Sequence, residues 1–313
     1  MIAAMRPSPL LFVVLATTLV VSWSSGFVGI RFTSDVATVP QVLFWRSVVS
    51  GLGLLPLAVL RGPRMTLRAV AEQGMYAFLG MFLYLGGFAL AIGQGVPTGL
   101  VALMADLMPL GIAALSAPML DQPLTKRQWI GTLISLAGVL TVSADALHLG
   151  AAPAFAFALP IFGMFAFALS TVLQERRRAV ELAIHQRLAL QCMWAAAMFA
   201  PVAELTGGLL PQPSLDFTLG ILWLVLLATY GGWLIYYLCL RLYAPAIISA
   251  TIYLSPPLTM LWAWALFDEP LTLAMAAGLV ATLIGVWLVA TGQRRLEPTP
   301  SQTPPFPVNA RNL

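Results

Sequence analysis

Ten long apolar runs constrain the fold of this chain more than any other feature of its sequence. Each run approaches the ~20 residues that a helix needs to cross the hydrocarbon core of a bilayer. The runs are too long for strands and lack the period-two alternation of a membrane barrel. We therefore predict an all-α integral membrane protein with ten transmembrane helices. The predicted spans cover residues 10–31, 40–60, 74–92, 97–119, 128–145, 154–174, 186–206, 217–240, 246–266 and 273–291.

The composition supports a lipid environment and excludes several functional classes. The chain is 60% hydrophobic and 9% charged, whereas soluble domains carry about 25% charged residues. No basic stripe with interleaved aromatic residues is present, so we expect no nucleic-acid partner. Cys192 and Cys239 lie inside apolar runs, so we predict that they are small buried apolar residues. His148 and His185 have no partners at metal-ligand spacing, so we predict neither a metal site nor a cofactor.

The basic residues orient the predicted spans. With both termini in the cytoplasm, 14 of the 16 Lys and Arg residues fall on cytoplasmic segments, and only Arg31 falls on an outer loop. Such an excess of cytoplasmic basic residues is typical of multi-pass membrane proteins. We therefore predict cytoplasmic termini. The segment 293–313 is polar and rich in proline, and we expect it to form a disordered cytoplasmic tail.

The chain contains an internal repeat with an offset of 147 residues. The stretch DLMPLGIAALSAPMLDQPLT (106–125) matches YLSPPLTMLWAWALFDEPLT (253–272) without a gap. The match predicts two units, residues 10–145 with spans 1–5 and residues 154–291 with spans 6–10. Because five is odd, the second unit enters the membrane from the opposite side. Inverted repeats of this kind build two gates around one central site in transporters.

Two matched prolines, Pro109 and Pro256, lie near the middle of spans 4 and 9. Each proline removes a helix hydrogen bond, so we predict a kink at both positions. Irregular backbone at membrane depth is tolerated where protein buries it or where it lines a watery cavity. A packing kink and a role in gating both remain open.

Other matched residues predict structural roles. Thr125 and Thr272 occupy helix N-cap positions, and Thr125 with Gln128 fits a capping box. Two glycine pairs, each seven residues apart, create smooth helix faces for packing within one subunit or between two. These pairs are Gly131 with Gly138, and Gly278 with Gly285.

Four quoted stretches resemble the EamA-type family of the drug/metabolite transporter superfamily. They are WSSGFVGIR ending at Arg31, FWR ending at Arg46, YYLCLRLYAPAIISATIYLSPP (236–257) and DEPLT (268–272). The resemblance covers roughly residues 10–291. It implies two inverted five-helix EamA units and a bacterial inner-membrane carrier with a central cavity. Members of this family often export amino acids or other small metabolites, and some export metallophores or import vitamins.

Asp106 is the most informative candidate site residue, because an ionisable group deep in a membrane is costly unless paired or hydrated. It lies nine residues from the outer end of span 4, or ~14 Å deep. It could bind a substrate ammonium group, couple a proton, or pair with Arg46. The repeat places Tyr253 at the equivalent position. For Arg46 we favour a structural role, either snorkelling or pairing.

Aromatic residues in the spans supply the remaining candidates. If the family architecture holds, Trp23, Tyr84, Trp233, Tyr236 and Tyr253 line the central cavity. An aromatic pocket suits amphiphilic substrates through stacking and cation–π contacts.

We predict a secondary transporter for a small-molecule substrate, most simply an exporter of amino acids or amino-acid-derived compounds. The sequence has no Walker loop and no H-E-x-x-H motif, so we expect neither ATP use nor enzymatic activity. An importer of a vitamin or another small metabolite is the alternative. A non-transporting scaffold subunit is the rival from another class. A homodimer is possible through the small-residue faces.

Overall fold

A computed structural model describes residues 9–105, 107–120, 125–148, 152–177, 182–242, 248 and 251–291, which form helices joined by short turns. No strand occurs in these ranges, as the apolar runs predict. The helices are α1 (Pro9–Ser34), α2 (Val39–Leu60), α3 (Leu67–Ala77), α4 (Tyr84–Gly93), α5 (Thr98–Ala105), α6 (Met108–Leu120), α7 (Lys126–His148), α8 (Ala158–Arg177), α9 (Ile184–Thr206), α10 (Leu215–Trp223), α11 (Gly232–Leu242), α12 (Ser255–Phe267) and α13 (Leu273–Thr291). The predicted disordered tail and Asp106 lie outside the described residues.

Six helical segments are long and apolar enough to cross a membrane. Shorter apolar helices include Leu215–Gly231 and Leu273–Val289. The outward faces carry large apolar side chains such as Leu133, Phe162 and Trp264, each of which is more than half exposed. Such a surface requires lipid as its solvent. The six long segments are Leu10–Ser34, Val39–Leu60, Leu67–Gly93, Lys126–Leu147, Ala154–Gln174 and Ile184–Thr206.

The ninth predicted span is interrupted by a turn, and the fourth has a turn at residue 107. Helix α5 ends at Ala105 and α6 begins at Met108, so Pro109 is the second residue of the new helix. A turn at 253–254 likewise precedes α12, which has Pro256 in its first turn. At the ninth span, the expected kink within one continuous helix is a turn between two helical segments, whereas at the fourth span residue 106 lies outside the described residues. Proline is favourable in a first helical turn, because the N–H that it lacks would have no intrahelical partner there.

Helices α7 and α13 pack closely through their glycine faces. A Cβ atom added at Gly131 would lie 2.5 Å from the carbonyl oxygen of Gly285, and one at Gly138 would lie 2.6 Å from that of Gly278. Gly131 of α7 faces Gly285 of α13, and Gly138 faces Gly278, so the residue numbers rise along one helix as they fall along the other. The two helices therefore run antiparallel. The predicted packing role of these glycines is confirmed, and the contact lies within one chain.

Helices α2 and α9, the second and seventh predicted spans, are joined by two buried glutamines with matching roles. Gln41 Oε1 accepts from Thr38 N–H at 3.1 Å, while its Nε2 donates to the carbonyls of Gly207 and Gly208 at 3.1 and 2.7 Å. Gln186 Oε1 accepts from Ala183 N–H at 3.1 Å, and its Nε2 donates to the carbonyls of Ala58 and Pro63, both at 2.9 Å. Each glutamine therefore caps its own helix and holds the end of the other.

The two matched threonines are N-caps, as predicted. Thr125 Oγ1 accepts from Gln128 N–H, and Gln128 Oε1 accepts from Thr125 N–H at 2.8 Å, which completes the capping box. Thr272 Oγ1 accepts from Met275 N–H at 3.1 Å and also donates to Asp145 Oδ2 at 2.7 Å. The second contact fastens the start of α13 to the end of α7.

Candidate functional site

A cavity of about 100 Å³ lies inside the bundle, between helices of both repeats. Helix α1 contributes Trp23 and Phe27, and α2 contributes one face with Arg46, Ser47 and Ser50. The remaining wall is mostly apolar. It comes from α4, α8, α9 and the start of α11, and includes Tyr84, Phe88, Phe167, Cys192 and Trp233.

Two π-helical turns border this cavity. The turn Phe78–Leu83 joins α3 to α4, and the turn Leu224–Gly231 joins α10 to α11. These helices are the third and eighth predicted spans, so the two turns occupy equivalent places in the repeat. Each turn supplies lining residues, Met81 from the first and Thr229 from the second. Single π-turns inside α-helices occur frequently at functional sites.

Aromatic rings frame the cavity in two groups. Trp23 faces Trp233 with ring centroids 6.1 Å apart, and Tyr236 packs against both at 5.9 and 6.3 Å. Tyr84 lies 4.4 Å from Phe88 and 4.6 Å from Phe167, measured between ring centroids. The two groups give the cavity a large polarisable surface with a small number of polar positions.

Arg46 is the one charged side chain in the described lining. It is 8% exposed, and its Nε donates to Thr229 Oγ1 at 3.1 Å. The Thr229 hydroxyl donates in turn to the carbonyl of Leu224 at 2.9 Å, inside the π-helical turn. The two ion pairs in the described part of the chain join Arg31 to Asp35 and Arg68 to Glu72, so neither involves Arg46.

The structure brings together four of the residues selected from the sequence. Trp23, Tyr84, Trp233 and Arg46 line the cavity, whereas Tyr236 lies behind the two tryptophans, beside a small core that contains Leu15 and Leu19. Asp106, the other charged candidate, lies outside the described residues.

Three further candidates lie at the helix breaks. Tyr253 is in the turn before α12, and the residues that line the central cavity do not include it. Pro256 is buried beside Ser255, whose carbonyl accepts from the Ser24 hydroxyl at 3.1 Å. The break thus contacts α1 next to Trp23. The backbone of Pro109 belongs to the first turn of α6.

Several lining residues were missed by the sequence reasoning. Ser50 follows Arg46 by four positions and therefore shares its helix face, a signal that the sequence offered. Phe88 follows Tyr84 by the same interval. Nothing in the sequence distinguished Phe167, Cys192 and Thr229 from other residues of their apolar runs. No group of three or more potential metal-binding side chains occurs in the described ranges.

A second cavity of about 440 Å³ lies among the turns at one end of the bundle. Its walls include Arg31, Asp35, Ile92, Pro97 and Glu269, and Ile92 also lines the central cavity. We call this space the peripheral cavity. The charge distribution of the sequence predicts that all of these turns lie on the outer side of the membrane.

Glu269 joins two turns at the edge of the peripheral cavity. Its carboxylate accepts from Thr98 N–H at 2.7 Å and from Thr98 Oγ1 at 2.6 Å, which caps the start of α5. Burial raises the pKa of Glu269 above its ordinary value, although the Thr98 hydrogen bonds and the charge of Arg31 oppose the rise. Arg31 itself pairs with Asp35 at 2.7 Å and lies 5.0 Å from the ring centre of Phe267.

Comparison with known proteins finds one family and several transporters. The sequence profile of the EamA-like transporter family matches residues 10–144 and again residues 154–291. The chain is 26% identical over 287 residues to "Uncharacterized transporter YdfC" of Bacillus subtilis, covering 84% of this chain and 86% of that protein. It is 24% identical over 278 residues to "Uncharacterized inner membrane transporter YedA" of Escherichia coli K12, covering 88% and 89%.

A third relative is "Probable terminal-alkyne amino-acid exporter" of Streptantibioticus cattleyicolor. It is 25% identical over 296 residues, with 90% of this chain and 95% of that protein covered. A crystal structure of another protein superposes with a TM-score of 0.61 at 18% identity, and covers 91% of this chain and 98% of its own. This last similarity concerns the fold alone.

Proposed function

Because the chain belongs to the EamA-like transporter family, we propose that it is a secondary transporter of a bacterial inner membrane that exports amino acids or amino-acid-derived compounds, metallophores included. The observation that carries this proposal is the cavity shared by the two repeats, in which aromatic rings surround one buried arginine. The amino-acid assignment is also supported by the relative that bears the name of a probable amino-acid exporter.

The proposed mechanism uses two inverted units of five helices, ten crossings in all. The antiparallel contact of α7 with α13 supports the inversion, since these helices are the last members of the two repeats. The matching glutamines of α2 and α9 support it as well, because each holds one end of the same helix pair. In such a carrier, rocking of the units exposes the central site alternately to each side.

A substrate would have to widen the central cavity as it enters. Ligand pockets for small molecules typically measure about 300–1,000 Å³, and this cavity measures about 100 Å³. Ile92 lines both the central and the peripheral cavity, so a route between the two cavities leads past its side chain. With both termini in the cytoplasm, this route leads to the outer side of the membrane.

The helix breaks are part of the proposal. Pro109 and Pro256 would keep the fourth and ninth spans divided, so that half-helices can tilt separately when a gate opens. Trp23, Tyr84, Trp233 and Tyr236 would hold the apolar part of the substrate. Asp106 and Tyr253 stay candidates for its polar part or for a coupling proton.

Transport by the purified chain in liposomes tests the function. Liposomes preloaded with a labelled panel of apolar, aromatic, basic and acidic amino acids should release some of them faster than protein-free liposomes do. A Trp23→Ala, Trp233→Ala double variant should fold, and should lose most of this release, because it removes one wall of the cavity. If the chain releases no panel member under any imposed ion gradient, the amino-acid assignment is wrong.

A further inference from the structure

The face of α2 that carries Arg46 and Ser50 has the properties of an anion site. The two residues are separated by one helical turn, and both line the central cavity. Arg46 is 8% exposed and Ser50 is fully buried. Such burial inside a membrane protein is expensive for a charge, so the guanidinium must be matched by an anion or by water.

Most of the N–H donors of Arg46 have no hydrogen-bond acceptor among the described residues. A guanidinium group has five N–H donors, and the structure uses the Nε–H for Thr229. That bond restricts the orientation of the guanidinium, because Thr229 itself donates to the carbonyl of Leu224 in the π-helical turn. The described lining contains no carboxylate for the two terminal nitrogens. A planar fork held in this way matches the geometry of a carboxylate.

Ser50 provides an independent observation. Its hydroxyl oxygen is buried and has no hydrogen-bond partner in the described part of the chain. Its backbone carbonyl, in contrast, accepts from the Tyr230 hydroxyl at 2.9 Å. A buried hydroxyl without a partner costs free energy, and this cost is recovered when a ligand oxygen accepts from it.

We infer that Arg46 and Ser50 form the carboxylate subsite of the transported molecule, which assigns the substrate class as monocarboxylates with an aromatic or large apolar body. The carboxylate would accept two parallel hydrogen bonds from Arg46 and one from the Ser50 hydroxyl. The body would then lie among Trp23, Tyr84 and Trp233. This inference rests on the proposed transport function, since it names the substrate class of the same cavity.

Three related probes separate the charges that the site could recognise. Phenylalanine has both a carboxylate and an ammonium group, 3-phenylpropionate has the carboxylate alone, and phenethylamine has the ammonium alone. Binding to the purified full chain in detergent can be followed through tryptophan fluorescence, because Trp23 and Trp233 line the cavity. Thermal stabilisation of the protein by each probe gives a second readout. Neither measurement requires transport.

The wild-type chain should bind phenylalanine and 3-phenylpropionate at least about tenfold more tightly than phenethylamine, since two hydrogen bonds to a charged group are at stake. Arg46→Gln should remove this preference by weakening both acids while leaving the amine unchanged. Ser50→Ala should weaken both acids about threefold and also spare the amine. Arg68→Gln, which changes an exposed arginine outside the cavity, is the matched control and should change none of the three.

Other results would overturn the assignment. If the wild type binds neither acid, or binds phenethylamine as well as the acids, the subsite is wrong. If Arg46→Gln keeps the preference for acids, Arg46 has only a structural role. Should Arg46→Gln fail to fold, Arg46→Lys and Ser50→Ala decide the matter by the same comparison of acids with the amine.

The transport function can fail separately. Binding of the acids without release of 3-phenylpropionate or of any panel compound from liposomes would reject transport and keep the subsite. Release of another compound by a chain that binds neither acid would keep transport and reject the subsite.

Discussion

Ser135 and Thr282 occupy equivalent positions in the two repeats, and the hydroxyl of Ser135 donates to the backbone carbonyl of Thr282 at 3.2 Å. The Thr282 hydroxyl lies 3.5 Å from the carbonyl of Ser135 in the reciprocal contact. A residue can contact its own repeat equivalent only where the axis that relates the repeats passes between them. The pseudo-two-fold axis that relates the repeats therefore passes through the middle of the α7–α13 pair. The glycines of this pair set how closely α7 and α13 approach.

Enlarging this contact should destabilise the protein. Gly138→Ala and Gly278→Ala each place a Cβ 2.6 Å from the carbonyl of the facing glycine, so the helices must separate. Overpacking of this kind typically costs about 1–3 kcal/mol. We expect a lower melting temperature for both variants in detergent, and an additional loss in the double variant that is smaller than the sum, since either change already separates the helices.

Gly232→Ala is the matched control for these glycines. A Cβ at Gly232 would have no neighbouring atom closer than 3.9 Å, so the helix can accept it. Melting temperatures that fall equally for Gly232→Ala and Gly138→Ala would contradict a special role for the α7–α13 contact.

Gln41 and Gln186 of the α2–α9 pair should contribute equally to the stability of the folded protein. Gln41→Glu and Gln186→Glu keep the side-chain shape and the bond to the N-cap N–H, but replace a donor with a carboxylate oxygen facing two carbonyls. Each buried group left unpaired costs about 1–3 kcal/mol. Both variants should therefore melt several degrees below the wild type, by similar amounts. Gln94→Glu, at an exposed position, should change the melting temperature little.

A clear difference between the two glutamine variants would show that the ends of the helix pair are not equivalent in stability. The hydrogen bonds of Gln41 and Gln186 would then have matching geometry but would contribute unequally to the free energy of unfolding. Thermal unfolding of the purified variants, followed by light scattering, measures both values directly.

Much of this fold follows from the sequence because a membrane imposes few choices. The apolar runs predicted helices, the matched threonines predicted N-caps, and the glycines seven residues apart predicted a packing face. The pairing of α2 with α9 could not be predicted in this way. Gln41 contacts the carbonyl of a residue 166 positions away, and no local pattern specifies that distance.

The site was harder to predict than the fold for a related reason. Periodicity indicates which residues share a helix face but leaves open which faces meet. Trp23, Tyr84 and Trp233 line the cavity, whereas Tyr253 lies in the turn before α12. Thr229, which accepts a hydrogen bond from Arg46, lies inside a π-helical turn, where the spacing of an ideal α-helix does not apply.

The stability of the protein should depend on the protonation of Glu269. Its pKa is raised in the folded state because burial disfavours the charge. The folded state then binds more protons than the unfolded state in the pH window just above the ordinary pKa, so stability falls as pH rises through that window. Glu269→Gln keeps an oxygen that can accept from Thr98 and removes the titration.

The difference in melting temperature between the wild type and Glu269→Gln, measured from pH 4 to 7, isolates this contribution. The wild type should lose stability relative to the variant as pH rises from about 4.5, the ordinary pKa of glutamate. Glu204→Gln removes an exposed carboxylate that also accepts from a backbone N–H, and serves as the control. Parallel curves for the wild type and Glu269→Gln would contradict the assignment.

The prolines after the helix breaks should affect transport more than folding. Pro109→Ala and Pro256→Ala allow α6 and α12 to extend backward across the turns at 107 and 253–254, since alanine favours a continuous helix. A shift of about 1.4 kcal/mol between divided and continuous helices changes the population tenfold. We therefore expect transport per folded molecule to fall by about this factor, with melting temperatures close to the wild type. Equal losses of transport and of folded protein would leave the prolines with a packing role alone.

Asp106 carries the last prediction. It follows Ala105, the final residue of α5, and its side chain lies outside the described residues. A carboxylate placed ~14 Å deep by its position in the fourth span must be paired, hydrated or protonated. If Arg46 binds the substrate carboxylate, the natural partner of Asp106 is the substrate ammonium group. Asp106→Asn keeps the shape and removes the charge.

Three results of Asp106→Asn distinguish the possible roles of the carboxylate. Weaker binding of phenylalanine and phenethylamine, with 3-phenylpropionate unchanged, indicates an ammonium site. Exchange that survives while gradient-driven accumulation is lost indicates a coupling proton. If Asp106 instead neutralises Arg46, Asp106→Asn should destabilise the protein, and adding Arg46→Gln should restore both stability and transport. That rescue would reject a functional role for Asp106 and the carboxylate subsite together, because an arginine that binds substrate cannot be removed without loss of transport.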